Sequence, residues 1–264
     1  MRFWSLGSGS GGNAFLLEDG AHRVLVDCGF GPRTLSQRLA AIGVAPESIG
    51  TLVLTHEHVD HAKGATQAQT RWGWRVVGST GTLAGVRELD RKKATALAPD
   101  GFVAMDGFDL RLIPVPHDAA APTACVITAR GPGWRVGIAH DLGHVPDGMT
   151  RHFRELDALV IEANHDVERL RSGPYPAYLK DRITGGRGHL NNSEAAGFAA
   201  EVAHPGLRTV MLAHLSAENN TPTLALGAVR HQLTRARWSG RLVAAVQDAP
   251  VAGVEAANQF ELTF

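Results

Sequence analysis

The sequence is poor in cysteine, has no excess of either charge and contains no long hydrophobic run. Its two cysteines, Cys28 and Cys125, lie in apolar stretches and are expected to be buried thiols, which excludes a disulfide framework. Basic and acidic residues number 26 each, so no global basic field indicates a nucleic-acid partner, although a local patch is compatible with neutrality. No stretch reaches the roughly 18 apolar residues of a membrane span, and no apolar signal segment opens the chain. We therefore expect a cytoplasmic protein without membrane contact.

The composition is that of a globular protein, with 264 residues, 44% of them hydrophobic and 20% charged. Neither a repeat nor a long linker divides the chain. We expect a single domain over residues 1–264 with a loop-rich insertion at about 165–188, where glycine and proline cluster. The sequence leaves the oligomeric state open, a homodimer included.

The distribution of apolar residues predicts an α/β protein. Helical spacing predicts helices at residues 33–43, 62–72, 192–203 and 222–236, with Gly43 as a C-cap and Ser193 as an N-cap. Short apolar runs predict strands at residues 2–6, 14–17, 24–26, 51–54, 76–77, 103–105, 110–117, 123–128, 134–139, 156–161, 209–212 and 242–246.

Many of these strands end in, or are followed within two residues by, a residue that can bind a metal. Because the ends of several strands meet at one edge of a sheet, such residues are expected to converge there. The residues concerned are Asp27, His56, His117, Asp141, Glu162 and His214.

The densest group follows the strand at 51–54, in the run Thr-His-Glu-His-Val-Asp-His. It contains His56, His58, Asp60 and His61. Imidazole and carboxylate groups suit zinc, manganese or iron, and the sequence does not choose among them. The alternative is an ordinary polar cluster at the surface.

Three later residues, His117, Asp141 and His214, bring the number of candidate ligands to seven. That number is too large for one tetrahedral ion and suits two divalent ions that share a bridge. Asp141 suits the bridge, because a carboxylate can offer one oxygen to each metal. Two ions about 3.5–4 Å apart can hold a bridging hydroxide, a nucleophile at neutral pH, so hydrolysis is the natural reaction.

The chain resembles the metallo-β-lactamase-fold hydrolases from its first strand to His214. The resemblance implies a four-layer αββα sandwich of two mixed β-sheets with two metals at one edge. It implies that one ion is held by His56, His58 and His117. The other is held by Asp60, His61 and His214, and Asp60 thereby also belongs to the catalytic group.

Three further motifs are similar to the YycJ/WalJ-like branch, which is related to RNase Z-type phosphodiesterases. They are Leu6–Ala14, Leu159–Asp166 and Arg187–Ala196. The resemblance implies that His189 contacts the scissile phosphate or protonates the leaving oxygen, and that Glu162 orients His189. The structural alternatives are that His189 caps the following helix and that Glu162 is a surface carboxylate. Asn191 stands where the branch usually has serine.

Substrate contacts are expected from two segments. Ser8, Ser10 and Asn13 belong to a glycine-rich loop that lacks the lysine of a nucleotide P-loop, so a tight turn is the alternative. Asn191 and Arg187 flank His189. Four cations precede or flank His189 and either hold a polyanion or form a solvated charge run: Arg171, Lys180, Arg182 and Arg187.

These observations predict a dinuclear metal-dependent phosphodiesterase, most simply an exonuclease with DNA or RNA as substrate. A hydrolase of a small cyclic phosphodiester, thioester or lactone is the alternative on the same fold. A regulatory metal-binding module without turnover fits less well, because the ligand set is complete and an acid/base pair accompanies it. Antibiotic hydrolysis is disfavoured, because no secretion signal is evident.

Overall fold

Two seven-stranded β-sheets pack face to face in the computed structural model, which describes residues 1–254. The first sheet has the order β14-β1-β2-β3-β4-β5-β6 and the second β13-β12-β11-β10-β9-β8-β7. The strands are β1 Arg2–Gly7, β2 Ala14–Asp19, β3 His22–Val26, β4 Thr51–Leu54, β5 Arg75–Ser79, β6 Ala94–Leu97, β7 Phe102–Ala104, β8 Phe108–Pro114, β9 Thr123–Ala129, β10 Arg135–Ala139, β11 Ala158–Glu162, β12 Thr209–Ala213, β13 Arg241–Ala244 and β14 Val251–Val254.

Both sheets are mixed. In the first, β3 to β6 are parallel neighbours, and in the second, β10 to β13 are; the other pairs are antiparallel. The helices are α1 Pro32–Ala41, α2 Val59–Ala62, α3 Ala65–Trp72, α4 Thr80–Gly85, α5 Met149–His152, α6 Val167–Ser172, α7 Ala177–Thr184, α8 Asn192–Glu201 and α9 Pro222–Arg235. Several of them, among them α1, α3, α8 and α9, cover the outer faces of the sheets.

The side-chain alternation of the strands separates three layers of core. In β2, Phe15 and Leu17 point between the sheets, whereas Leu16 points toward the helices that cover the first sheet. Residues of α1 and α3 complete that outer core, and residues of α8 and α9 complete the one over the second sheet. The predicted αββα sandwich is therefore confirmed.

The predicted helix at 62–72 is broken in the structure. The break falls at Gly64, whose N–H donates to the Cys28 carbonyl at 2.8 Å. A Cβ at Gly64 would lie 2.1 Å from the Phe30 carbonyl oxygen, so the close passage of these backbones requires glycine. The short α2 before the break carries Asp60 and His61.

Two other local predictions need correction. Segment 165–188, expected to be rich in loops, contains α6 and α7; the Asp166 side chain caps α6 by accepting from Arg169 N–H. The N-cap of α8 is Asn191 rather than Ser193. Gly43, predicted as the C-cap of α1, lies one residue after the C-cap Ile42 and adopts a left-handed φ of 73°, which favours glycine.

The sequence prediction also lacks α4, α5, β6 and β14. No helix within residues 1–254 is both long enough and apolar enough to cross a membrane.

Candidate metal centre and active site

The ends of strands from both sheets meet at one edge of the sandwich and present polar side chains there. Asp27 follows β3, Asp141 follows β10 and His214 follows β12, and these three residues adopt positive φ values of 60°, 56° and 53°. This left-handed backbone is uncommon for residues with a side chain and is found preferentially at functional sites. The chain thus turns sharply where each of these side chains enters the site.

Three histidines form the first candidate metal group: His56, His58 and His117. Each can offer a nitrogen within 4.8 Å of those of the other two. The Nε2 atom of His56 is buried and has no hydrogen-bond partner among the described residues. A buried polar atom without a partner is costly, so this arrangement fits a bound cation.

Neighbouring groups orient these imidazoles. Thr55 Oγ1 donates to Asp27 and lies 3.1 Å from Nδ1 of His56, so it can accept from this nitrogen. Nδ1 of His117 lies 3.1 Å from the Gly188 carbonyl oxygen. Each contact engages Nδ1 and leaves Nε2 as the metal-binding nitrogen.

Asp60, His61 and His214 form the second candidate metal group. Oδ2 of Asp60 lies 3.3 Å from Nε2 of His61 and 3.3 Å from Nε2 of His214. Nδ1 of His61 donates to the fully buried Asp27 at 2.7 Å. His61 therefore resembles His56 and His117: one ring nitrogen is held by a hydrogen bond, and the other is turned into the site.

Asp141 lies between the two groups. Its Oδ2 is 3.0 Å from Nε2 of His61, and its Oδ1 is 3.9 Å from Nε2 of His117. Burial alone would raise the pKa of this carboxyl, but the charges of His214 and His61 hold it well below its ordinary value. The anionic carboxylate is therefore suited to bridging two cations.

Glu162 is a fully buried carboxylate that connects two histidines. Its Oε1 accepts from Nδ1 of His189 at 2.7 Å and from Nδ1 of His214 at 3.0 Å. Its Oε2 accepts from the backbone N–H groups of Leu142 and Leu190, both at 3.1 Å. Burial opposes ionisation, yet His189 and His214 lower the pKa of Glu162 to about 2.

His189 is therefore held by Glu162 and does not cap the following helix, which is the role of Asn191. Burial lowers the pKa of His189, but the Glu162 carboxylate outweighs burial and raises it. His189 also lines a cavity of about 220 Å³ together with His214. Further lining comes from Ser10, Asp118, Asn164, Tyr175, Leu179, Arg182, Ile183, Gly188 and Ser216.

The glycine-rich loop supports the site mainly through buried side chains. Ser8 is buried; its hydroxyl donates to Oδ1 of Asn13 at 2.7 Å and accepts from His214 N–H at 2.8 Å. Asn13 also accepts from Gly9 N–H, so the loop closes as a tight turn. Ser10 lines the cavity.

The predicted cations make different contacts in the structure, and Nζ of Lys180 donates to the Arg171 carbonyl oxygen at 2.8 Å. Arg182 lines the cavity and bonds Asp118 through two nitrogens, at 2.8 and 2.5 Å. Arg171 pairs with Glu168 instead, and Arg187 is exposed. The side-chain oxygen of Asn191 accepts from Ser193 and Glu194 N–H, and Glu194 completes a capping box.

Two buried residues, Asp27 and His140, support the ligands. The sequence predicts Asp27 at this edge only as a potential ligand, and it does not predict His140 in the site. Nε2 of His140 lies 3.2 Å from Asp27, and its Nδ1 lies 3.0 Å from Asp141. Both residues directly follow strands, which was the available sequence signal. Their role depends on side-chain contacts between the two sheets, which strand positions alone do not specify.

Comparison with known proteins agrees with this geometry. A model of the beta-lactamase superfamily domain matches residues 22–215. Exodeoxyribonuclease WalJ of Streptococcus pneumoniae strain D39 is 32% identical over 242 residues, 89% of each chain. Exodeoxyribonuclease YycJ of Bacillus anthracis is 30% identical over 240 residues, 88% of this chain and 89% of its own.

A solved structure shows the shared fold. The metallo-β-lactamase fold protein YhfI from Bacillus subtilis superposes with a TM-score of 0.69 at 20% identity, covering 96% of this chain and 100% of its own. The chain therefore belongs to the beta-lactamase superfamily and, within it, to the WalJ/YycJ group.

Proposed function

We propose that this protein is a dinuclear metal-dependent phosphodiesterase that removes nucleotides from DNA as an exonuclease. The observation that carries the proposal is the pairing of two convergent ligand groups with the Glu162–His189 contact of 2.7 Å. Two relatives at 32% and 30% identity are named exodeoxyribonucleases, which supports DNA as the substrate.

The residues divide into two sets of ligands. His56, His58 and His117 would hold one ion; Asp60, His61 and His214 would hold the other, with Asp141 between them. When bound, two divalent ions such as Zn²⁺, Mn²⁺ or Fe²⁺ lower the pKa of water and neutralise charge on the attacked phosphate.

His189 would act on the substrate directly. Because its Nδ1 donates to Glu162, its Nε2 is available to the cavity that it lines. From there it would donate a hydrogen bond to the scissile phosphate or a proton to the leaving oxygen. Glu162 would keep His189 in this tautomer and stabilise its protonated form.

A small-substrate hydrolase is the second candidate. The cavity is small, about 220 Å³, and one of its lining residues, Arg182, carries a positive charge. Both features suit a small cyclic phosphodiester, thioester or lactone as well as the end of a DNA chain. The residues proposed to contact the substrate are Ser8, Ser10, Asn13, Asn191 and Arg187.

The two candidates are separated by direct assay. Purified protein supplied with Mn²⁺ or Zn²⁺ is incubated with end-labelled single-stranded DNA, RNA and a panel of small esters. We expect stepwise shortening of DNA. Efficient turnover of an ester without cleavage of either nucleic acid would contradict the nuclease. The proposal includes a cytoplasmic location, where the free thiols Cys28 and Cys125 stay reduced.

A further inference from the structure

One wall of the cavity is an apolar stripe on the inserted helix α7 and the residues before it. Tyr175, Leu179 and Ile183 recur every four residues, and all three line the cavity. They are half-buried, and α7 has no fully buried residue. An amphipathic helix usually packs such a stripe against the protein core. Here the stripe faces the cavity that also contains His189 and His214.

This wall is held in place relative to the catalytic histidine. The Ile183 carbonyl oxygen accepts from His189 N–H at 2.9 Å. The Arg182 guanidinium bonds Asp118, whose Oδ1 lies 3.2 Å from Nε2 of His117. The helix is thus tied both to His189 and to the loop of a candidate ligand, so the cavity is formed before substrate arrives.

The chemistry of the cavity suits the terminal base of a strand and the adjoining phosphate. Its volume of about 220 Å³ lies below the roughly 300–1,000 Å³ of pockets that enclose drug-sized ligands, so a nucleotide, itself of that size, would be only partly enclosed. Its polar side, with His189 and His214, suits a phosphate, whereas its apolar side suits a flat base. The chain has two tyrosines; Tyr175 lines the cavity, and Tyr178 is 74% exposed.

We propose that Tyr175, Leu179 and Ile183 form the pocket for the terminal nucleotide, with the base stacked on the Tyr175 ring. This inference rests on the proposed function and specifies how that site holds its substrate. Stacking on an aromatic ring tolerates every base, because each base has a π-face. The pocket therefore recognises the end of a strand with little dependence on sequence.

The test compares two single-stranded oligodeoxynucleotides of equal length. One carries ordinary nucleotides throughout, and the other carries an abasic residue at both ends, so strand polarity need not be known. Initial rates for removal of the first residue give kcat and KM for the wild type and for Tyr175→Ala, Tyr175→Phe and Tyr178→Ala. Metal content and thermal unfolding are measured for each variant.

For the ordinary substrate we expect Tyr175→Ala to lower kcat/KM on the order of tenfold or more, chiefly through KM. The same variant should leave kcat/KM for the abasic-ended substrate within about twofold, because no base is present to stack. Tyr175→Phe should retain the preference for a base, since the ring remains. Tyr178→Ala, the matched control outside the cavity, should behave as the wild type.

Equal losses on both substrates in Tyr175→Ala, or no loss on either, would overturn this inference. So would a loss in Tyr178→Ala equal to that in Tyr175→Ala. If the wild-type protein cleaves neither oligonucleotide, the proposed function itself fails. Cleavage by the wild type with an unchanged preference for a base in Tyr175→Ala removes only the terminal pocket.

Discussion

Nδ1 of His61 lies 2.7 Å from Oδ2 of Asp27, and both side chains are completely buried. Asp27 also accepts from the N–H and hydroxyl groups of Thr55. Burial would raise the pKa of the Asp27 carboxyl, but His61 and His140 hold it far below its ordinary value. A fixed negative charge behind His61 therefore sets the direction of its other nitrogen, toward Asp60 and Asp141.

We expect Asp27→Asn to weaken metal binding about 10- to 100-fold, because a neutral amide cannot replace this charge-assisted hydrogen bond. The measurement is a competition titration with a chelator at fixed pH. Asp109→Asn, which removes a carboxylate paired with Arg130 away from the site, is the matched control. A folded Asp27→Asn protein with wild-type metal affinity would refute this role.

His189→Ala should separate metal binding from catalysis. We expect the variant to retain the metal content of the wild type, because His189 belongs to neither of the two proposed ligand triads. DNA cleavage should fall about 10²- to 10⁴-fold, the usual contribution of a positioned proton donor. His231→Ala, exposed on α9, controls for loss of a histidine. Loss of metal from His189→Ala would show that His189 is a ligand.

His58→Ala tests the number of ions. The wild type is expected to bind two divalent ions per chain, and the variant should retain about one, because the Asp60, His61 and His214 group is left intact. His58 is one-third exposed, so its removal should leave the fold stable. Elemental analysis of dialysed protein gives the stoichiometry. A wild-type value of one ion per chain would contradict the dinuclear centre.

Strand-end positions in the sequence predicted that these candidate ligands converge. His56 follows β4 and His214 follows β12, and the distances place them in the same centre as His117, 61 residues after His56 along the chain. The convergence has a physical reason: parallel strands end at a common edge, so polar residues after them meet even when far apart in sequence.

The parts that could not be predicted depend on contacts across the fold. Gly64 breaks a helix because another backbone passes beside it, at Phe30. Asp27 supports His61 through a contact spanning 34 residues. The stripe at Tyr175 was masked by surrounding glycine and proline, which favoured a loop. Local patterns report periodicity, whereas these features depend on which surfaces meet.

The two thiols should be inert in the native protein. Cys28 and Cys125 are fully buried. Burial is the main cause that raises the pKa of both thiols, and the nearby Asp27 charge raises it further. Because the thiolate is the reactive form, we expect alkylation to be slower than in the unfolded chain on the order of 10³-fold or more. Reaction is followed by mass spectrometry with and without denaturant. Rapid labelling of native protein would contradict the buried positions.

Asn191→Ala should destabilise the protein by about 1 kcal/mol, since it removes the N-cap of α8 and leaves two backbone N–H groups without their acceptor. Asn191→Ser is the matched control. Serine and asparagine cap helices about equally well, so the free energy of unfolding should change by only a few tenths of a kcal/mol. Urea denaturation measures both variants. If Asn191→Ser kept its stability but lost DNA cleavage, Asn191 would contact the substrate in addition to capping α8.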